Sequence, residues 1–185
     1  MSAMHLSPGG IRLTDQQRLD WLRLTRTESV GPLTFNTLIN RFGGAAAALE
    51  ALPDLLKARC KGHILLATRD DCEREMEAAR ALGAQFVAIG EPDYPPLLKT
   101  VAGAPPLLAV LGDVSVFRHP FVAIVGSRNA SGVGRSFTQR LASGLTQHRY
   151  AIVSGLARGI DTSAHGASLA FGTVAVLAGG LDRPY

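Results

Sequence analysis

The stretch VAIVGSRNASGVG, residues 122–134, decides the fold. Phe121 to Val125 is an unbroken apolar run rich in valine and isoleucine, which suits a strand covered on both faces. Gly126 ends it, and Ser131 can cap a helix in which Val133, Phe137, Leu141 and Leu145 recur every four residues on one face. The same order then repeats. Tyr150 to Val153 is a second strand, followed by the turn Ser154-Gly155-Leu156-Ala157-Arg158-Gly159 and a helix that Asp161 or Thr162 caps and that ends near Gly172. Thr173 to Ala178 is a third strand. Apolar strands separated by single helices predict parallel βαβ units, so residues 121–185 are expected to form a parallel sheet with helices packed on it.

Upstream the pattern is helical. Asp15 to Arg26 places Leu19, Trp21 and Leu22 on one stripe behind a capping Thr14. The turn Ser29-Val30-Gly31-Pro32-Leu33 between two short helical segments resembles a helix-hairpin-helix unit, and Gly43-Gly44 ends the second of them. AAAALEAL and DLLKARC supply one or two more, and residues 71–82 form a highly charged helix stopped by Gly83. Gln85–Ile89 and Leu107–Leu111 are strand candidates. Five of the ten prolines fall between residues 92 and 106, which predicts a linker or rigid crossover between domains. The expected fold class is α/β: a small helical domain (1–70), a connecting segment that begins the α/β domain (71–120), then an incomplete Rossmann-like parallel sheet (121–185). Because the chain stops just past a strand, leaving a sheet edge open, a fragment of a longer protein is expected.

Composition narrows the function. A hydrophobic content of 46% and a mean hydropathy of +0.15 indicate a real core. No apolar run approaches the ~18 residues of a membrane span, and no secretory leader is visible at the amino terminus. Cys60 and Cys72 form no Cys-x-x-Cys, and the scattered histidines make no His-x-x-x-His, so neither a disulfide framework nor a metal site is expected, and a reducing cytoplasm is the plain setting. The charge is asymmetric. Residues 1–120 hold 13 basic and 13 acidic side chains, whereas 121–185 hold Arg128, Arg135, Arg140, Arg149, Arg158 and Arg183 against only Asp161 and Asp182. The whole net charge of +4 therefore rides on arginines of the last third, whose planar fork matches phosphate geometry. A solvated basic surface is the plainer alternative.

Three glycine-bearing turns leave the carboxyl ends of the three strands: Gly126-Ser127-Arg128, Ser154 to Gly159, and Gly179-Gly180. Ligands of open parallel sheets bind at that edge, where glycines let backbone amides approach an anion. For each glycine alone, tight strand–helix packing is the competing explanation. A dinucleotide is excluded twice. Arg128 stands where glycine is needed for pyrophosphate approach, and strand two ends in Ser154, without the acid expected about 20 residues after the glycines. No Gly-Lys-Ser/Thr occurs, so no Walker loop exists. Asp161 and His165 lie four apart on one helical face, and Ser154 or Ser163 could serve as a nucleophile beside them; a helix cap and a buried histidine propping the loops is the alternative.

Taken together, GSRNASGVG, SGLARGIDTSAHGASLA and GTVAVLAGGLDRPY resemble the DNA-processing protein family DprA, also called Smf. The three motifs occur in the family's order over 121–185, and DYPPLLKTVAGAPPLLAVLGD and the helical start resemble what precedes them there. Val133 stands where the family usually has a tyrosine. The resemblance implies a single-stranded-DNA-binding protein that loads the RecA recombinase onto incoming strands in natural transformation. It also implies a cytoplasmic homodimer with no cofactor and no established catalysis. By the same resemblance Gly126, Ser127 and Arg128 form the phosphate loop, with Ser154, Gly155, Arg158 and Gly159 beside it. Asp161, His165, Gly179 and Gly180 are then scaffold of the pocket. An arginine at a glycine turn can clasp one phosphate bidentately, and such binding weakens by about 0.7 log units per tenfold salt for each phosphate neutralised. Two rivals remain. One is a Rossmann-like hydrolase of nucleotide N-glycosidic bonds, whose glutamate and Pro-Gly-Gly-x-Gly-Thr loop are replaced here by Ala178-Gly179-Gly180-Leu181-Asp182. The other is a non-catalytic interaction scaffold.

Overall fold

The computed structural model describes residues 11–59 and 65–183; the amino-terminal ten residues, Cys60 and the closing Pro184-Tyr185 lie outside them. The chain forms two compact units, divided between Gly112 and Asp113.

In the first unit, α1 (Asp15–Arg26) begins at a reciprocal cap in which Thr14 accepts from the Gln17 amide and the Gln17 side chain accepts from the Thr14 amide. Two cores meet along α1. Leu24 packs with Val30 and with residues of α2 (Pro32–Phe42) and α3 (Ala45–Arg59), where Phe35, Leu38, Ala48 and Leu52 are buried. Trp21 is half-buried, edge-on to Phe35 at 4.9 Å. The segments AAAALEAL and DLLKAR are one continuous helix, α3, with Pro53 inside it. Leu19 and Leu22 face the other way, onto Cys72 and Met76 of α4 (Arg69–Ala81) and Phe86 of β1 (Ala84–Ala88). β1 pairs antiparallel with β2 (Leu107–Leu111), Ala84 opposite Leu111 and Ala88 opposite Leu107.

The proline-rich stretch therefore does not join domains. It closes this hairpin through the short α5 (Pro96–Lys99), with Tyr94 donating to the Pro105 carbonyl at 2.8 Å and the Ile89 amide to Pro106 at 2.9 Å. The shared core of α1, α4 and β1 is why residues 71–112 belong with the helices rather than with the parallel sheet.

The second unit opens with a 3-10 turn, Val114–Arg118, and continues as a parallel sheet in the order β3–β4–β5: Phe121–Ala123, Ala151–Ser154 and Thr173–Ala175. Phe121 pairs with Ala151, and Ile152 with Thr173. The connecting helices are α6 (Gly132–Gln147) and α7 (Ile160–Ser168), which pack on each other and on β4 around Ile124, Ala142, Ile152 and Ala164.

Two expectations are corrected here. Most of the apolar stripe of α6 is not its buried face: Val133, Phe137 and Leu141 are 80%, 59% and 44% exposed, and of the stripe Leu145 packs against the core. Thr138 and Ala142, one residue further round, face the core instead. Small side chains there let α6 approach α7 closely, and the Thr138 hydroxyl is satisfied by the Gly134 carbonyl at 2.9 Å. The second correction concerns α7, which is capped by neither Asp161 nor Thr162. Its N-cap is Gly159 at φ +87°, and it ends at Ser168.

Candidate functional site

The three parallel strands end side by side, so their following turns open at one edge of the sheet. In the first turn, the Ile124 amide still donates to Val153 at 2.9 Å; the next residue, Val125, is 79% exposed. Gly126 then lies against α7 so closely that a Cβ there would stand 2.6 Å from the Ile160 side chain. Gly159 answers it from the other side. Its positive φ excludes most side chains, and a Cβ would collide with the carbonyl oxygens of Ser127 and Arg128. The Ile160 amide donates to Ser127 at 3.2 Å, and the Ser127 hydroxyl accepts from the Asn129 amide at 3.1 Å. These backbone contacts hold the turn and present Arg128 at its tip. Arg128 is exposed and makes no ion pair with any described residue, and the amides of Gly126, Ser127 and Arg128 donate to no described group.

The second turn is organised differently. Leu156 takes φ +60°, a left-handed conformation that branched side chains avoid. The carboxylate of Asp161 stabilises it: Oδ2 accepts from the amides on either side, Gly155 at 3.2 Å and Ala157 at 3.3 Å. This is why Asp161, only 6% exposed, is drawn away from a capping role. Those two amides are consequently not available to an anion. The buried Ser154 hydroxyl donates to the Ile124 carbonyl at 2.6 Å, stitching two strand ends together.

Between the turns is a cleft of about 340 Å³. Arg128 and Asp161 are its charged side chains, Gly126 and Gly155 lie along its floor, and Val125, Ala157, Val176 and Ala178 form apolar walls. Four residues expected from the sequence thus meet here: Gly126, Arg128, Gly155 and Asp161. Ser127, Ser154 and Gly159 shape the turns from behind, Arg158 is exposed outside the lining, and the exposed Gly179 and Gly180 follow the lining residue Ala178. The walls went unnoticed in the sequence, although Val125 and Val176 sit just beyond strand ends, where a side chain reaches the ligand edge.

His165 belongs to the support. Thr173 Oγ1 uses its one proton on the Ile152 carbonyl at 3.1 Å, so at 2.7 Å it accepts from His165 Nδ1–H. Nε2 is then a bare acceptor, buried without a partner. Burial pushes this imidazole below its ordinary 6.5, and the nearby Asp161 opposes the shift. The Ser163 hydroxyl is committed to the Gly159 carbonyl at 2.8 Å. Neither serine hydrogen-bonds to His165, so the arrangement lacks the nucleophile–base contact that serine chemistry requires. Among the described residues, no group of three or more histidine, cysteine or acidic side chains could hold a metal.

Comparison with known proteins finds relatives over most of the chain. A family model described as DNA recombination-mediator protein A matches residues 85–185, and one described as a DprA-like N-terminal HHH domain matches 15–78. Protein Smf of Synechocystis sp. is 31% identical over 186 residues, covering 94% of this chain and 47% of that protein. DNA processing protein DprA of Streptococcus pneumoniae is 44% identical over 94 residues, covering 50% of this chain and 33% of its own. The X-ray structure of DprA from Streptococcus pneumoniae superposes with a TM-score of 0.63 at 26% identity, covering 95% of this chain and 61% of that one. The chain spans about half or less of the length of these curated relatives. With its helical start and its strand–turn–helix repeats each matched, the chain belongs to the DNA recombination-mediator protein A family, DprA or Smf.

Proposed function

We propose that this chain binds single-stranded DNA as part of a recombination mediator, with the sugar–phosphate backbone received at the turn carrying Arg128. The observation that carries the reading is the state of that arginine: an exposed guanidinium, without an ion pair among the described residues, beside three unused backbone amides. Guanidinium and amides converging at a strand end form a donor set for a phosphate oxygen, and phosphate contacts position a strand without reading its sequence. The names of the matched family and of its relatives, recombination mediator and DNA processing protein, support nucleic acid as the source of that phosphate.

In this reading Gly126, Ser127 and Arg128 form the phosphate loop. Ser154, Gly155, Gly159, Asp161 and His165 are its scaffold, and Arg158 is a peripheral cation. The mediator delivers the strand to RecA as a homodimer in the cytoplasm, and it is not an enzyme. The one carboxylate lining the cleft, Asp161, is engaged by two loop amides, and neither the glutamate nor the Pro-Gly-Gly-x-Gly-Thr loop of the N-glycosidic hydrolases lines it. No helix among the described residues is long and apolar enough to cross a membrane.

The test is a fluorescence titration with labelled oligonucleotides at a series of salt concentrations. Single strands are expected to bind more tightly than duplexes, with log K falling by about 0.7 per tenfold salt for each phosphate engaged. A salt-independent affinity would refute the assignment and favour a protein-interaction scaffold. Release of free base from nucleoside monophosphates would instead favour the hydrolase.

A further inference from the structure

The face of α6 that the fold leaves uncovered is apolar and basic at once. Resting on the reading just given, we infer that the bound strand runs on from the Arg128 turn along the outward face of α6, outside the cleft, where Phe137 stacks on a base and Arg140 takes a phosphate.

Helical geometry assembles this strip. Residues three and four apart are neighbours on a helix surface, so Val133, Phe137, Arg140 and Gly144 form one row along α6. The row is turned away from Thr138 and Ala142, which are buried. Phe137 is 59% exposed, stands outside the core cluster of the unit and touches no other described aromatic ring. Arg140 is exposed, and its guanidinium makes no hydrogen bond or ion pair with any described residue. Ser136 is small and exposed, and a Cβ on Gly144 would meet nothing within 4 Å, so little stands up around the ring.

The row begins at the phosphate turn. Ser131 caps α6 shortly after Arg128, and from Gly132 to Arg140 the helix advances about 12 Å at ~1.5 Å per residue. Roughly three or four stacked nucleotides span that distance at ~3.4 Å each. A strand held at Arg128 therefore reaches Arg140 within a few nucleotides.

Charge and size select the occupant. No aspartate or glutamate occurs between Phe121 and Ile160, so Arg128, Arg135, Arg140, Arg149 and Arg158 set up a field of one sign that attracts a polyanion. A stable protein partner needs roughly 1,000 Å² or more of buried surface with an apolar centre. One phenyl ring between Val133 and Leu141 is too small for that. A nucleobase needs only one aromatic face, and a guanidinium one turn further on can meet a neighbouring phosphate. Every base has a π-face, so the strip adds affinity to the contact at Arg128 without reading sequence.

The experiment titrates the full chain with labelled oligo-dT and with an abasic oligomer that has the same phosphates and no bases. Phe137→Ser should weaken oligo-dT binding about tenfold, as removal of one stacking partner does, and leave the abasic oligomer unaffected. Its melting temperature should not change, because the ring lies outside the core. Phe137→Trp should keep the wild-type affinity. Its added indole should be quenched by oligo-dT beyond any change in the wild type, whose one tryptophan is Trp21 of the first unit. Arg140→Ala should weaken both oligomers and lower the salt slope by about 0.7, the share of one phosphate on a single strand.

Unchanged oligo-dT affinity in Phe137→Ser would overturn the inference, as would an equal loss for the abasic oligomer or a loss that tracks a lowered melting temperature. Self-association, or adsorption to vesicles of anionic lipid, that Phe137→Ser abolishes with oligonucleotide affinity intact would assign the strip to a second copy or a membrane surface instead. If the wild type binds neither oligomer, or binds indifferently to Arg128→Ala, the reading of the turn itself fails and this inference with it.

Discussion

Arginine does opposite work in the two units. In the first, six arginines secure the fold, while Arg23 and Arg41 make no ion pair with any described residue: Arg18 meets the buried Glu91 at 2.5 Å, Arg12 meets Asp93 at 2.6 Å, and Arg26, Arg69, Arg74 and Arg80 pair with Glu75, Glu73, Asp71 and Asp15. Glu91 also accepts from the Leu13 and Ala88 amides, so Arg18 completes a junction between α1 and the hairpin. From Phe121 onward, Arg128, Arg135, Arg140, Arg149 and Arg158 make no ion pair with any described residue, and Arg183 approaches only its neighbour Asp182, at 3.8 Å. The difference teaches that residue type alone does not announce a ligand site. A paired arginine has spent its charge internally, whereas an unpaired one keeps it for a partner.

Substitutions at either end of this comparison should separate cleanly. The largest effect is expected from Arg18→Ala, which strands a carboxylate that is 3% exposed; about 3 kcal/mol of stability should be lost by denaturant titration, with oligonucleotide affinity at equal folded fraction unchanged. Gly159→Ala comes next. Strain at positive φ and the collision with the Ser127 carbonyl should cost roughly 1–3 kcal/mol and also weaken binding, because the turn holding Arg128 must shift. Arg128→Ala should do the reverse of Arg18→Ala. Affinity should drop roughly 10- to 100-fold and the salt slope by about 0.7, while the melting temperature stays put. A comparable loss of stability in Arg128→Ala would break the comparison.

The smallest effect concerns pH. His165 has a folded-state pKa below its ordinary 6.5, so the unfolded chain binds a proton that the folded chain refuses. Stability should therefore fall as pH drops below about 6.5, and thermal melts of His165→Gln between pH 7 and 5 should show a shallower decline.

Much of the second unit was legible because its signals are local. Valine and isoleucine runs, single glycines and the Ser131 cap specify strand, turn and helix within a few residues of each other. The exposed stripe on α6 shows the limit. Val133, Phe137 and Leu141 have helical spacing, but spacing identifies a face without saying which neighbour covers it; the small Thr138 and Ala142 are the ones that fit against α7. Asp161 shows the same limit at the site. Its position in the first turn of a helix predicts a cap, while its actual partners are amides of a preceding loop brought near by the β4–α7 turn. In the first unit, prolines read as a boundary because proline breaks regular structure. Whether the break separates domains or merely turns a hairpin depends on pairing between residues as distant in sequence as Ala84 and Leu111.

The sequence by itself determined the parallel strand–helix repeat, the placement of three turns at one edge, the surplus of arginine in the last third and the family. The family rests on the resemblance of three motifs; the other properties follow from periodicity, backbone preference and composition, all of which act over short range. Only the tertiary structure decided which arginines are free and which amides are already taken, those of Gly155 and Ala157 by Asp161 Oδ2 among them. Hydrogen bonds and ion pairs saturate, and which groups they saturate depends on distances that folding alone establishes.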